Sequence, residues 1–343
     1  MSFRSSMENS ELFPIVLVSN LDIDVPLATG RRGVKEPHRF FHRTIPLPPA
    51  VQAVVMRSAI IGSLAVIIAQ LAFTKGMYCL NGTTGDDLNS DHPLYQLEFG
   101  QWWFHAANGC NERPPNAGDF LELPAGDSVI LELASNQAFI TLSYGGKFMS
   151  DWPNGQTYPD DHVRSISYVH SDPSCITSPN FHTQSQSMAA GTTLATSYQS
   201  DLKQVTPENL VVIGVAYNTP FKRLTTYHIP TGLPLCPEEG CICAWGWIPN
   251  GCRERNMYHE AIGCKVTGNT GTKPIGKPRP PVWCEDDPDS CIRGPKQMLY
   301  WNQASGSNIV VDLTYDLSGV ELKSPAYNVK CGFANGAQND DIE

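Results

Sequence analysis

Eleven cysteines and seven histidines lie downstream of residue 74, and these are the side chains with which proteins cross-link themselves, hold metals or attack substrates. None of the cysteines (Cys79, Cys110, Cys175, Cys236, Cys241, Cys243, Cys252, Cys264, Cys284, Cys291 and Cys331) precedes the apolar stretch at 58–73. Thiols this numerous on one side of such a stretch read as disulfides formed in an oxidising lumen rather than as zinc ligands. Cys236 and Cys241 close a small loop at Cys-x4-Cys spacing, whereas Cys241 and Cys243 are too close to bridge each other easily. Order and spacing suggest Cys236 with Cys241, Cys243 with Cys264, and Cys284 with Cys291, and the odd total leaves at least one thiol over. The histidines (His92, His105, His162, His170, His182, His228 and His259) form no His-x-His or His-x3-His pair. No Gly-x-Ser-x-Gly, P-loop or dinucleotide fingerprint occurs, so no local motif names a reaction. A histidine taken singly is more often structural than a ligand.

The elements that must position these residues follow from pattern and composition. Residues 1–55 carry a basic run (Arg31, Arg32, Lys35, Arg39, Arg43) and end in a proline-rich piece, and are expected to be a disordered leader or an extension of the assigned start. Residues 56–69 have the charged start and short apolar middle of a secretory signal, with cleavage after Ala69. The alternative is a signal anchor reaching about residue 73, which would tether a single-pass membrane protein; the span is short for that role, since a membrane helix wants about 20 apolar residues. Residues 70–343 form the expected single domain, secreted in the first case, and Asn81-Gly82-Thr83 would then be a glycan acceptor. Residues 1–57 hold 7 Lys or Arg and 5 Asp or Glu of the chain's 24 and 34, so 17 face 29 downstream, a net of −12. Such a domain repels nucleic acid and anionic lipid and suits a neutral ligand. Gly and Pro punctuate it every few residues and long helical periodicity is absent, which points to short strands. Leu121 and Leu123 flank Glu122, Leu210 to Val215 reads as a buried strand, and residues 309–317 alternate with period two. A two-sheet, all-β sandwich buries strands of this kind.

Five segments add what no single motif supplies: Gln101-Trp102-Trp103-Phe104-His105, residues 118–126, residues 241–248 (Cys-Ile-Cys-Ala-Trp-Gly-Trp-Ile), Lys296-Gln297-Met298-Leu299-Tyr300-Trp301, and residues 335–340. In this order, over about residues 71–341, the chain resembles the fungal lytic polysaccharide monooxygenases of auxiliary activity family 14. The resemblance implies an immunoglobulin-like antiparallel β-sandwich with long disulfide-linked loops. It also implies one surface copper in a histidine brace, where the mature N-terminal histidine gives its amine and ring nitrogen, a second histidine gives a third nitrogen, and a tyrosine lies on the axis. Three nitrogens in a tetragonal plane suit Cu(II). By the family pattern His182, in Pro179-Asn180-Phe181-His182-Thr183, is the second histidine and Tyr258 the axial, catalytic tyrosine.

The first ligand departs from the family pattern. Family members begin with histidine a few residues before the Met-Tyr that matches Met77 and Tyr78, and the matching positions here are Ala69 or Gln70. The glutamine amide is a poor copper ligand. Three alternatives stay open: an exon junction near residue 70 that hides a histidine, a member that has lost the brace, or another histidine such as His105 in its place. The implied function is oxidative cleavage of plant cell-wall polysaccharide, xylan associated with cellulose, by a monomer served by an external electron donor. The rival is a non-catalytic module, secreted or tethered, that binds polysaccharide or protein through the same sandwich. Trp102, Trp103, Trp245, Trp247, Tyr300 and Trp301 could stack on sugars, although for the paired tryptophans packing between sheets is the commoner fate.

Overall fold

The computed structural model describes residues 16–18, 76–79, 93–160, 183, 185–249, 255–312, 314 and 323–339. The chain divides into two units, Met1–Leu21 with Ala69–Glu343, and Asp22–Ile68; every described residue belongs to the first. Nine strands are described: β1 (Val16–Val18), β2 (Leu121–Ala125), β3 (Ser128–Ala134), β4 (Thr192–Ser197), β5 (Val211–Ala216), β6 (Leu224–His228), β7 (Cys241–Trp247), β8 (Tyr258–Gly268) and β9 (Gly336–Ala337). They form a three-stranded sheet, β1-β3-β6, and a six-stranded sheet, β2-β8-β7-β4-β5-β9. The protein is therefore the all-β sandwich its alternating segments announced. One pair departs from the antiparallel pattern, because β2 runs parallel to β8 with Leu121 opposite Cys264.

β7 is buried at all seven positions, as expected of a strand covered on both faces, and its small residues Ala244 and Gly246 let neighbours close in. Trp245, Trp247, Tyr258 and Ile262 pack on one side with Leu121, Leu123, Leu131 and Tyr227. Ala244 and Ala261 face a second cluster built from Trp102, Phe104, Met298, Leu299, Tyr300 and Trp301. Each such side chain contributes roughly 1.5–3 kcal/mol when fully buried.

Two sequence readings meet the structure differently. Of the strand expected over 309–317, residues 313 and 315–317 lie outside the described residues, and 309–312 pair with no strand among the described residues: Ile309 is buried and Val310 is 89 % exposed, so the alternation there marks one buried side. Val16–Val18, inside the segment expected to lack order, lie antiparallel along β3 with Val16 opposite Ala134. A short apolar segment, Val16-Leu17-Val18, satisfies the otherwise unpaired backbone of an edge strand in this way. The rest of 1–75 lies outside the described residues, and among those described no helix is long and apolar enough to cross a membrane.

Candidate functional site

Tyr258 opens β8 and sits opposite Trp247, the last residue of β7, with the two rings stacked at 4.9 Å and 26°. Trp247 is in turn opposite Thr192, the first residue of β4, which faces Ala216 at the end of β5. Four strand termini thus meet at one end of the large sheet, and the loops leaving them share that end. Hydrogen bonds extend this neighbourhood to the small sheet. The Thr192 hydroxyl lies 2.6 Å from that of Thr219 and 2.5 Å from that of Tyr227, and Gly191 N–H donates to the Thr219 carbonyl at 2.8 Å. The same 217–223 connection ends at Arg223, whose N–H donates to Asp151 at 2.9 Å. Loops 135–160, 185–191 and 217–223 therefore gather at the Tyr258 end of the sandwich.

Of the residues expected to hold metal, Tyr258 is described, buried at 3 % exposure; His182 and Gln70 lie outside the described residues, as does Asn81. Thr183, which follows His182, is buried and donates its hydroxyl to the Ser185 carbonyl at 2.9 Å. On the other side Met77 bridges Ile262, four residues along β8 from Tyr258, or about 13 Å. The seven residues from Gln70 to Met77 span at most about 24 Å. The donor set itself falls short. If His182 and a terminal Gln70 were the donors expected from the sequence, one imidazole, one phenol and an amine would give two nitrogens where a brace needs three, since glutamine has no ring nitrogen. Among the described residues no cluster of three His, Cys, Asp or Glu side chains supplies the missing donor.

His105 does not fill the gap. It is fully buried, with Nε2 2.8 Å from Glu260 Oε1, a close polar contact in which ring and carboxylate are poorly aligned for a hydrogen bond. Its neighbour Phe104 stacks on His259 at 4.4 Å and 21°, and Trp102, Trp103 and Tyr300 surround the same ring. Burial, reinforced by His105, pushes the His259 imidazole down to about 3, which leaves it neutral. These histidines are core.

The tryptophans follow suit. Trp102, Trp245, Trp247, Tyr300 and Trp301 are buried and Trp103 is half-buried, so packing claims the aromatic faces offered by the sequence. Among the described residues the large exposed aromatics stand elsewhere, at Tyr95, Phe99, Tyr144 and Phe148. The structure joins Cys236 to Cys241, Cys243 to Cys264 and Cys284 to Cys291, and adds Cys79 to Cys110 across 31 residues. Cys331 is a buried free thiol, and Cys175 and Cys252 lie outside the described residues. A cavity of about 360 Å³ lined by Arg293, Lys296, Gln338 and Asn339 opens beside β9, four strands across the sheet from β8, with no aromatic in its wall.

Comparison with known proteins matches residues 52–343 to the family model described as "Lytic polysaccharide monooxygenase AA14". The chain is 36 % identical over 280 residues to AA14 family lytic polysaccharide monooxygenase A of Trametes coccinea (strain BRFM310), covering 78 % of this chain and 59 % of that protein. It is 34 % identical over 264 residues to AA14 family lytic polysaccharide monooxygenase B of Pycnoporus cinnabarinus, covering 72 % and 62 %. With the B protein of Talaromyces rugulosus it shares 33 % over 292 residues, 78 % of this chain and 91 % of that one. The chain thus spans about three-fifths of the length of the first two relatives.

Proposed function

The chain belongs to family AA14 of the lytic polysaccharide monooxygenases, and we propose that it is a secreted, monomeric member acting oxidatively on plant cell-wall polysaccharide, xylan associated with cellulose. The observation that carries this reading is the family match over 52–343, which takes in every strand of the sandwich after β1 together with the Tyr258 end. Removal of 56–69 as a signal would set the domain at 70–343 and expose Asn81 to glycosylation. The reaction proposed is hydroxylation of a sugar carbon beside the glycosidic bond: dioxygen with two electrons from an external donor and two protons, or hydrogen peroxide by itself, replaces the C–H with C–OH and leaves one water, and the hydroxylated carbon then expels the neighbouring sugar as its alcohol, which breaks the chain. In it His182 and Tyr258 would help hold copper, which would supply the one-electron redox chemistry when bound. Trp247 supports that assignment by fixing the Tyr258 ring through a stacked contact while the surrounding core keeps bulk water off it.

Gln70 favours a second reading. With the first imidazole absent, the same scaffold would serve as a polysaccharide-binding module without oxidative chemistry, held at a membrane if 58–73 stays uncleaved. Mass spectrometry of the mature N-terminus and copper titration of the secreted protein separate the two. A terminal histidine, tight 1:1 copper binding lost in His182→Ala, and oxidised oligosaccharides from xylan-coated cellulose with reductant are expected of the enzyme. A confirmed Gln70 terminus without copper retention would sink the oxidative reading and leave the module.

A further inference from the structure

We propose that the 144–149 loop is a preformed sugar-stacking platform that binds the face of a neutral polysaccharide chain at the Tyr258 end of the sandwich. The proposal rests on the polysaccharide reading above but not on oxidative chemistry, since a module without copper needs such a surface as much as an enzyme does.

The loop exposes what a core would bury. Tyr144, Phe148 and Met149 are 42 %, 43 % and 41 % exposed, and the two rings meet edge to face at 5.4 Å. Tyr144 has φ of 51°, followed by Gly145 at 63° and Gly146 at 74°, three successive left-handed residues that throw the chain outward. Glycine takes such angles freely, but tyrosine pays for them, and strain of this kind persists where the surroundings impose it.

The surroundings do impose it. At one end of the loop Glu132, buried on β3, accepts from the Thr141 N–H at 3.1 Å and from its hydroxyl at 2.7 Å. At the other end Arg223 pairs with that same Glu132 and donates through Nε to the Ser150 carbonyl at 2.5 Å. One buried ion pair therefore clamps both ends of a ten-residue segment. Beneath it Trp152 is buried, with Lys222 Nζ 3.8 Å from its ring centre. Gly155 packs so closely that an added Cβ would lie 2.6 Å from both the Phe139 ring and the Phe148 carbonyl, which leaves the base no room to collapse. The support beneath the part-exposed rings is thus rigid, and a ligand need not order it on binding.

The chemistry of the patch selects the occupant. A pyranose presents axial C–H groups on its faces and hydroxyls around its rim. Here two part-exposed rings stand with a hydrogen-bond donor beside them, the Lys147 ammonium lying over the Phe148 ring 5.1 Å from its centre. Polyanions are opposed by the domain's net charge of −12, and one lysine cannot offset that. A neutral β-linked glycan meets no such barrier.

The test is depletion of the secreted protein by microcrystalline cellulose and by insoluble xylan, without copper or reductant. Tyr144→Ala/Phe148→Ala is expected to weaken retention about tenfold, and Phe148→Ala alone several-fold should the double variant fold poorly. Leu235→Ala removes a 65 % exposed side chain from the 229–240 loop at the opposite end and is expected to bind as wild type. Unchanged retention of the aromatic variants, an equal loss in Leu235→Ala, or a wild-type dimer that the aromatic substitutions dissociate without any glycan retention overturns the platform. Wild type that cleaves glycan while the aromatic variants bind normally fails only the platform. Wild type that binds through the rings but never cleaves fails only the oxidative reading.

Discussion

Burial at Cys331 turns an ordinary thiol into one that the fold keeps protonated. Its pKa is pushed up to about 12, against about 9 when exposed, by desolvation, which the Ala326 backbone and Lys330 only partly offset. In the unfolded chain the thiol loses its proton near pH 9, so between about pH 9 and 12 the unfolded state binds fewer protons and stability falls as pH rises. The slope from this group approaches about 1.4 kcal/mol per pH unit. Tyr227, Tyr300 and Tyr327, raised by burial as well, act in the same direction. Urea unfolding at pH 8, 9.5 and 10.5 should therefore show progressive destabilisation. Cys331→Ala should lower stability at pH 8 by the cavity it leaves but flatten the alkaline decline; an unchanged slope would mean the thiol is already ionised in the native protein. In the same experiment Cys331 should resist thiol reagents at pH 8 until the protein unfolds.

Among the elements, β7 and β8 carry the most interaction, and the disulfide between Cys243 and Cys264 ties them diagonally across the ladder, next to the Cys241 and Cys264 cross-strand pair. Closing a loop of 21 residues restricts the unfolded chain by about 3 kcal/mol. Cys243→Ala/Cys264→Ala should lose about that much in equilibrium unfolding, with the strands otherwise retained in the far-ultraviolet spectrum; a loss under 1 kcal/mol would show that packing of Trp245 and Trp247 alone fixes the register. The pair was legible from order and spacing, since 21 residues are enough for one strand to turn back on the next. The Cys79 to Cys110 bridge was not, since nothing local relates two residues 31 apart that meet only after 76–79 have docked beside β8. Period two at 309–312 correctly marked a buried side but not a strand, because alternation reports burial of one face and says nothing about a hydrogen-bonding neighbour. Trp102, Trp245 and Trp247 are buried, in line with packing as the commoner fate of paired tryptophans, because a core gains most from side chains of such area. Tyr144 and Phe148 lie among glycines with no apolar periodicity, and that lack of pattern was the one available hint that their rings stay outside.

For the molecule as a whole, charge and ligand chemistry give a separate handle on function. With 17 cationic and 29 anionic side chains after residue 57, long-range electrostatics dominate any encounter with a charged polymer and are screened by salt over about 8 Å at physiological ionic strength. A protein that held its substrate by neutralising anionic groups would release it steeply as salt rose, since each such contact gives up counterions. Stacking on a neutral sugar depends on apolar contact and desolvation, which moderate sodium chloride barely changes. Retention on cellulose should accordingly vary less than about twofold between 50 and 500 mM sodium chloride, and binding to double-stranded DNA or heparin should be negligible at 150 mM. A fall of tenfold or more across that salt range would place the glycan contact on Lys147 and its cationic neighbours rather than on the rings. Because this measurement needs neither metal nor reductant, it reports on recognition whether the mature chain begins with histidine or with Gln70.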